Sequence, residues 1–192
     1  MQRGAATAEE GLGPSRHVAI ISIMTATTLV GEYALVLIPN VELGTTVLFF
    51  TGLVFGAQVA VPCAILSSIV FASINPWGVF IPQVWLAQLI GWLYVVTAAH
   101  LVRTPDREIG WRGLAILGAA VTIEFDLVTN IGYSLAFSVP YWVAVLAGLP
   151  FMIIHVVSNA WLFALAIPRL ERALLPALNS QIAPEARMSS EE

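Results

Sequence analysis

Ionisable side chains inside otherwise apolar stretches are the residues of this sequence that could do chemistry. They are Glu32, Glu124, Asp126 and His155. A charged group inside a bilayer is costly and commonly marks a functional site. A carboxylate there can accept hydrogen bonds or bind a cation, and a histidine can exchange a proton near neutral pH. These four side chains are therefore the first candidates for a site.

Further polar side chains share helix faces with these residues. At helical spacing, the stripes are Thr25, Thr28 and Glu32; Trp85, Gln88 and Trp92; Thr122, Asp126, Thr129, Asn130 and Tyr133; and His155, Ser158 and Asn159. Two explanations remain open. The stripes line a polar cavity, or they form interhelical hydrogen bonds worth about 1 kcal/mol each. An Asp126–His155 pair would be one such bond, whereas Glu124 points away from the Asp126 face.

Composition identifies the kind of protein that holds these stripes. The 192 residues are 58% hydrophobic and only 10% charged, whereas soluble domains carry about 25% charged residues. The chain is therefore predicted to be a membrane protein with a single domain. Cys63 is the only cysteine, which excludes an internal disulfide and a cysteine-based zinc site. We expect no bound metal and no cofactor.

Six apolar runs are long enough, or nearly long enough, to cross a bilayer, which takes about 20 residues. The predicted helices cover residues 17–38, 41–55, 58–74, 82–102, 112–137 and 141–167, and prolines end the first, fifth and sixth. A cytoplasmic tail at 1–16 precedes this membrane domain (17–168). A second cytoplasmic tail at 169–192 is expected to be disordered. The predicted fold is all-α.

The arginines give this topology an orientation. They are Arg3 and Arg16; Arg103, Arg107 and Arg112; and Arg169, Arg172 and Arg187. With six spans, all three groups fall on one side of the membrane, and the loops of the other side contain no arginine. Positive residues concentrate on the cytoplasmic side. The sequence therefore predicts six transmembrane helices with both termini in the cytoplasm.

The first outer turn contains Pro39, Asn40 and Glu42. Asn40 is expected to cap the second helix, with Glu42 in the first helical turn, where a carboxylate favours the helix dipole. The alternative is that both rim a pocket open to the outside. Because carboxylates but no arginines lie in the outer half, a bound small molecule should be neutral or cationic, donor-rich and able to stack on aromatic rings.

Several longer stretches resemble a known family. They are "PNVELGTTVLFFTGLVFG", "INPWGVFIPQVWLAQLIGW" and "FDLVTNIGYSLAF" with the following "PYWVAVLAGLPFMIIHVVSNAWLFAL". Over residues 18–168 the chain resembles the substrate-binding S components of energy-coupling factor (ECF) transporters. That resemblance implies a multi-pass protein of the prokaryotic cell membrane that captures a vitamin-like or other trace nutrient at the outer face. A membrane coupling (T) subunit and two cytoplasmic ABC ATPases would then drive delivery.

The resemblance also implies that the chain is not an enzyme, since ATP hydrolysis belongs to the partners, and the sequence contains no phosphate-binding G-x-x-x-x-G-K-[S/T]. By position, the implied pocket residues are Glu32, Asn40, Glu42, Trp85, Gln88, Trp92, Asp126, Asn130 and Tyr133. The implied contact with the coupling subunit is Ser22-xxx-Ala26, a small-xxx-small pattern with serine in place of the usual alanine. Gly52-xxx-Gly56 is a second pattern of this kind.

Two other interpretations come from different classes. "FMIIHVVSN", residues 151–159, fits both F-x-x-x-H and H-x-x-x-N, strings found in intramembrane proteases of the CAAX-processing type, in which Glu and His activate water. Glu124 and His155 would then be catalytic. That family uses a Glu-Glu pair and two histidines, whereas Glu124 has no neighbouring Glu and His155 would serve both motifs. A non-transporting membrane assembly subunit is the third interpretation.

Overall fold

The structure, a computed structural model, describes residues 13–76, 78–103 and 109–188. Within these ranges the chain forms α-helices and no strands, which confirms the all-α prediction. The helices are α1 (Pro14–Ala34), α2 (Gly44–Phe55), α3 (Ala57–Ser73), α4 (Pro82–Val102), α5 (Trp111–Phe137) and α6 (Tyr141–Met188). Two arginines used in the charge pattern, Arg3 and Arg107, lie outside the described residues.

Four of these helices are long and apolar enough to cross a membrane: α1, α4, α5 and the Tyr141–Pro176 part of α6. The other two are shorter. α2 has 12 residues and is therefore about 18 Å long, against a hydrocarbon core of about 30 Å. α3 has 17 residues. The six predicted spans thus correspond to four helices of spanning length and two short apolar ones.

The short helix α2 lies at the centre of the bundle. It contacts α1, α3, α4 and α6, and ten of its 12 residues are buried. A helix that is apolar all round is stable only when it is surrounded. Phe49 and Phe50 are fully buried there, and the ring of Phe49 packs against that of Phe163 on α6 at a centroid distance of 4.8 Å. α2 is therefore the core around which the longer helices are arranged.

Glycines allow close approach between the helices. A Cβ on Gly52 would lie 2.8 Å from Ala99 Cβ on α4, and one on Gly118 would lie 2.7 Å from the Asn159 carbonyl oxygen on α6. Small residues allow this kind of packing in membranes. Gly56, the second glycine of the pattern in α2, instead joins α2 to α3 with φ 77°.

The start of α2 differs from the prediction. The helix begins at Gly44 rather than at residue 41, and Asn40 has φ 58°, a left-handed conformation that asparagine tolerates. Asn40 therefore lies too far upstream to cap the helix, and that prediction is wrong. Glu42 also precedes the helix, and its Oε2 accepts the Thr45 N–H at 2.7 Å. The N-cap position is Leu43, and the Glu42 carboxylate before it satisfies one free N–H group in the first turn of α2.

The end of α6 also differs. The helix does not stop at Pro168 but continues through Pro168 and Pro176 to Met188, so part of the expected C-terminal tail is helical. Proline removes only one backbone hydrogen bond, and membrane helices tolerate it where neighbouring groups compensate. Ile167 belongs to the core, and Leu170 and Leu175 pack against it. Apolar contacts on both sides of Pro168 therefore hold the helix to the bundle.

Candidate binding site

A cavity of about 340 Å³ opens at one end of the bundle, which we call the cavity end. The α1–α2, α3–α4 and α5–α6 connections lie at this end. Sites for small molecules commonly have volumes of about 300–1,000 Å³. The lining residues are Glu32, Val36, Ile38, Pro39, Asn40, Val41, Glu42, Thr45, Phe71, Asn75, Gln88, Trp92, Phe125, Asp126, Thr129 and His155.

Five arginines lie away from this cavity. Arg16 lies in the first turn of α1, Arg103 follows α4 and Arg112 lies in the first turn of α5, which places all three at the opposite end of the bundle, the arginine end. Arg169 and Arg172 lie on the same side, in the last part of α6. The charge pattern predicts that the arginine end faces the cytoplasm. The cavity would then open to the outside.

His155 connects two acidic residues beside the cavity. Its Nδ1 lies 2.9 Å from Asp126 Oδ1 on α5, and its Nε2 lies 3.5 Å from Glu42 Oε1 in the segment between α1 and α2. His155 is only 5% exposed. A buried histidine with a carboxyl oxygen at each nitrogen forms hydrogen bonds that are stronger than those of a neutral pair.

Asn159 extends this network towards the centre of the bundle. Its side-chain amide donates to Glu42 Oε1 at 3.2 Å and to Thr122 Oγ1 at 3.0 Å. The Thr122 hydroxyl donates to the Gly118 carbonyl at 2.7 Å. Asn159 and Thr122 were on polar stripes in the sequence but were not among the expected site residues, because a stripe does not show which partner its members meet.

The segment between α1 and α2, residues 35–43, is the first loop, and it is fixed at several points. The Ser158 hydroxyl donates to the Asn40 carbonyl at 3.3 Å, and the Leu43 N–H donates to the Gly31 carbonyl at 3.0 Å. Burial raises the pKa of the Glu42 carboxyl, but its interactions with His155 and Thr45 lower it more, so the net pKa lies below its usual range. Glu42 is therefore ionised at neutral pH and holds the loop to α6.

Two carboxyl oxygens at the cavity have no hydrogen-bond partner among the described residues. They are Glu32 Oε1 and Asp126 Oδ2, and each residue is only 6% exposed. A Cβ on Gly44 would overlap the Glu32 carboxyl, so only glycine leaves room for it. Buried polar atoms are normally paired. Both residues line the cavity, and donors from a bound ligand are one way in which these oxygens could be paired.

Aromatic rings form another side of the cavity. The ring centroids of Phe71 and Trp92 are 6.1 Å apart, those of Trp92 and Phe125 are 6.4 Å apart and stacked, and the Phe125 ring meets His155 edge-on at 5.9 Å. A Cβ on Gly91 would overlap the Phe125 ring. We call Phe71, Trp92 and Phe125 the aromatic wall. Gly91 makes the room that this wall needs.

Six of the nine residues expected from the sequence line the cavity: Glu32, Asn40, Glu42, Gln88, Trp92 and Asp126. The other three lie outside the lining. The Trp85 indole N–H donates to Ser68 Oγ at 3.3 Å, and the Asn130 amide donates to the Asp126 carbonyl at 2.7 Å. The Tyr133 ring packs on Phe137 at 4.6 Å. His155, whose role the sequence left open, belongs to the lining.

Other candidate residues are also placed. Ser22 and Ala26 are both exposed on one face of α1. The Ser22 hydroxyl donates to the Val18 carbonyl of the same helix at 2.9 Å, so no large side chain projects from this face at these two positions. The His155 nitrogens contact Asp126 and Glu42, whereas Glu124 Oε2 has no partner among the described residues. In that part of the chain, no cluster of His, Cys, Asp and Glu has the arrangement of a metal site.

Comparison with known proteins gives one match. A family model described as "ECF-type riboflavin transporter, S component" matches residues 14–172. The matched range contains α1 to α5, α6 as far as Arg172, and every residue that lines the cavity. No curated protein and no solved structure gives a match.

Proposed function

The chain belongs to the family of S components of ECF-type riboflavin transporters, and from that premise we propose that it captures a vitamin-like nutrient in the cavity. As a substrate-specific subunit it binds and does not catalyse. We propose that a membrane T subunit receives it and that two cytoplasmic ATPases drive transport. The observation that carries this proposal is the cavity with two unpartnered carboxyl oxygens at the end without arginines.

We propose that the chain crosses the prokaryotic cell membrane six times, with both termini in the cytoplasm. The short helices α2 and α3 follow one another through Gly56, and packing against longer neighbours compensates for their length. Nutrient from outside would then reach the cavity past the first loop. Hydrogen bonds from this loop to α1 and α6 support a role as the cover of the cavity.

The proposed substrate is small, rich in donors, and neutral or cationic. The aromatic wall supports a planar ring system, and the carboxyls support hydrogen-bond donors on its edge. A phosphorylated anion does not suit this lining, because no arginine lines the cavity in the described residues and the chain has no lysine. Riboflavin, which the family description names, is neutral and combines a planar ring system with a chain rich in hydroxyl donors, and it is the first ligand to test.

Binding by the purified full-length protein tests this function. We expect riboflavin, or another small molecule that mass spectrometry finds retained after purification, to raise the thermal stability of the protein, because a ligand of the folded state stabilises it by mass action. Asp126→Ala, Glu32→Ala and Trp92→Ala should each weaken binding. Tight binding that all three variants leave unchanged would contradict the proposed cavity.

The proposed contact with the T subunit has its own test. Ser22→Leu adds bulk to the exposed face formed with Ala26 and should prevent copurification with the T subunit, while substrate binding is retained. Ala120→Leu is a matched control, because Ala120 is an exposed small residue on α5. Normal copurification of the Ser22→Leu variant would show that this face does not contact the T subunit. A chain that binds no partner and no nutrient would instead be an assembly subunit.

The protease interpretation is not favoured. It assigns catalysis to Glu124 and His155, whereas the carboxyl groups that contact His155 are those of Asp126 and Glu42. Glu124 is not among the residues that line the cavity.

A further inference from the structure

His155 and two carboxyl groups of the cavity lining contact one another. Glu42 accepts hydrogen bonds from the Thr45 N–H and the Asn159 amide, one on each oxygen. Both partners are donors, so Glu42 is an ionised acceptor. His155 faces this carboxylate with Nε2 and faces Asp126 with Nδ1. Only the imidazolium form donates from both ring nitrogens. A charged His155 would therefore donate to one oxygen of each carboxylate.

One imidazolium does not neutralise this lining. When Asp126 and Glu42 are both ionised, a charged His155 balances only one of the two carboxylates. Glu32 adds a third carboxyl group to this lining. In the described part of the chain, no arginine lines the cavity to balance the excess. A buried net charge is costly unless a counter-charge pairs with it.

The remaining acceptors show where a counter-charge would bind. Glu32 Oε1 and Asp126 Oδ2 are buried at the cavity and lack a donor. They come from different helices, α1 and α5, whereas the other Asp126 oxygen is already occupied by His155. Hydrogen bonds from a cation to carboxylates are about twice as strong as neutral ones. A positively charged group with more than one N–H would satisfy both oxygens.

The aromatic wall favours the same kind of ligand. Trp92 and Phe125 stack at 6.4 Å, and both line the cavity together with the two carboxyls. A cation near the face of an aromatic ring is attracted by the ring quadrupole, most strongly by tryptophan. A flat ring also gains from stacking on this wall.

We propose that the cavity binds a planar aromatic cation, with charged nitrogens that donate to Glu32 and Asp126 and a ring that lies against Trp92 and Phe125. This proposal rests on the proposed function, because it names the chemical class of the nutrient that the same cavity takes. The proposed class of nutrient is thereby narrowed from neutral or cationic molecules to cationic ones. The cation supplies the charge and the donors that the lining lacks.

Three fragments of the same size and shape test the charge preference. They are benzamidine, a planar cation with two donor nitrogens, benzamide, its neutral analogue, and benzoate, its anionic analogue. Binding of each to the purified full-length protein is measured at millimolar concentrations by tryptophan fluorescence and thermal shift. We expect benzamidine to bind at least about tenfold more tightly than benzamide, and benzoate not to bind.

Carboxyl-to-amide substitutions locate the site. Glu32→Gln and Asp126→Asn should each weaken benzamidine binding by about tenfold or more. Glu124→Gln is the matched control, because it removes another membrane-embedded carboxyl that is not part of the lining, and it should leave binding unchanged. Glu32→Gln leaves the His155 contacts intact and keeps the test decisive if Asp126→Asn folds poorly.

Several results would overturn the proposal. They are equal binding of benzamide and benzamidine, no binding of benzamidine, or the same loss in Glu124→Gln as in Glu32→Gln. Tight riboflavin binding that is unchanged in Glu32→Gln would also overturn it, yet would support the proposed function. Failure of the proposed function would show separately, as absence of both nutrient binding and association with a T subunit.

Discussion

Glycines allow close backbone approach in both halves of this bundle, but at the cavity end they also make room for side chains of the site. In the packed half, around the centre and the arginine end, Gly52 and Gly118 bring helix backbones together, and residues such as Phe49 and Phe163 fill the interior completely. At the cavity end, Gly44 leaves room for a functional side chain, the Glu32 carboxyl. The packed half therefore holds the helices in position, whereas the cavity end contains open space lined by polar groups.

The largest effect is expected in the packed half. Phe163 is fully buried and packs on Phe49, and truncating a buried phenylalanine costs about 3–5 kcal/mol. Phe163→Ala should therefore lower the unfolding temperature of the purified protein strongly, while the ligand affinity of the folded fraction changes little. Loss of affinity without loss of stability would contradict the division between the two halves.

A smaller effect, on binding rather than stability, is expected at Gly44. A Cβ there overlaps the Glu32 carboxyl, so Gly44→Ala should displace this carboxyl and weaken ligand binding by about tenfold. Gly110→Ala is the control, because a Cβ at Gly110 meets nothing within 4 Å. Binding titrations of both variants measure the difference. Unchanged affinity in Gly44→Ala would show that Glu32 does not contact the ligand.

The smallest effect concerns the first loop and pH. The pKa of Glu42 is lower in the folded protein than its usual value, so its contribution to stability is present above about pH 4.3, the usual glutamate pKa. That contribution is lost as pH falls through the lowered pKa of the folded state. The protection of residues 35–43 against hydrogen exchange, measured relative to the intrinsic rate at each pH, should therefore decrease on acidification.

The matched variant for this effect is Glu42→Gln, in which protection of the first loop should be low at all pH values, because an amide cannot supply the charge that faces His155. If protection of the first loop depends on pH in Glu42→Gln as it does in the unmodified protein, another group causes the effect.

Local signals in the sequence predicted the helices better than the contacts of the site. Residues 82–102 were predicted as a helix and form α4 with those bounds, because Pro82 suits the first turn of a helix. The start of α2 was missed, since the contact of Glu42 with the first turn depends on how the loop folds back. The end of α6 was missed because contacts of Leu170 and Leu175 with the core outweigh Pro168.

The partners of the site residues could not be predicted in the same way. Helical periodicity placed Asp126, His155 and Asn159 on polar faces, but Glu42 and His155 are 113 positions apart in sequence, and periodicity carries no information about such pairs. Trp85 shares a stripe with Gln88 and Trp92, yet its indole N–H donates a hydrogen bond to Ser68 Oγ instead of lining the cavity. A stripe shows which face of a helix points into the bundle. It does not show which residues of that face reach a cavity.

The most direct test of the account is labelling of a single cysteine at the cavity. In a Cys63→Ser background, Ile38→Cys places a thiol on the exposed, cavity-lining side chain of the first loop. A membrane-impermeant maleimide should label it in intact cells, and bound nutrient should slow the reaction. Gly13→Cys, at the arginine end, should react only after permeabilisation. Labelling of Gly13→Cys in intact cells, with Ile38→Cys protected, would contradict an outward-facing binding cavity.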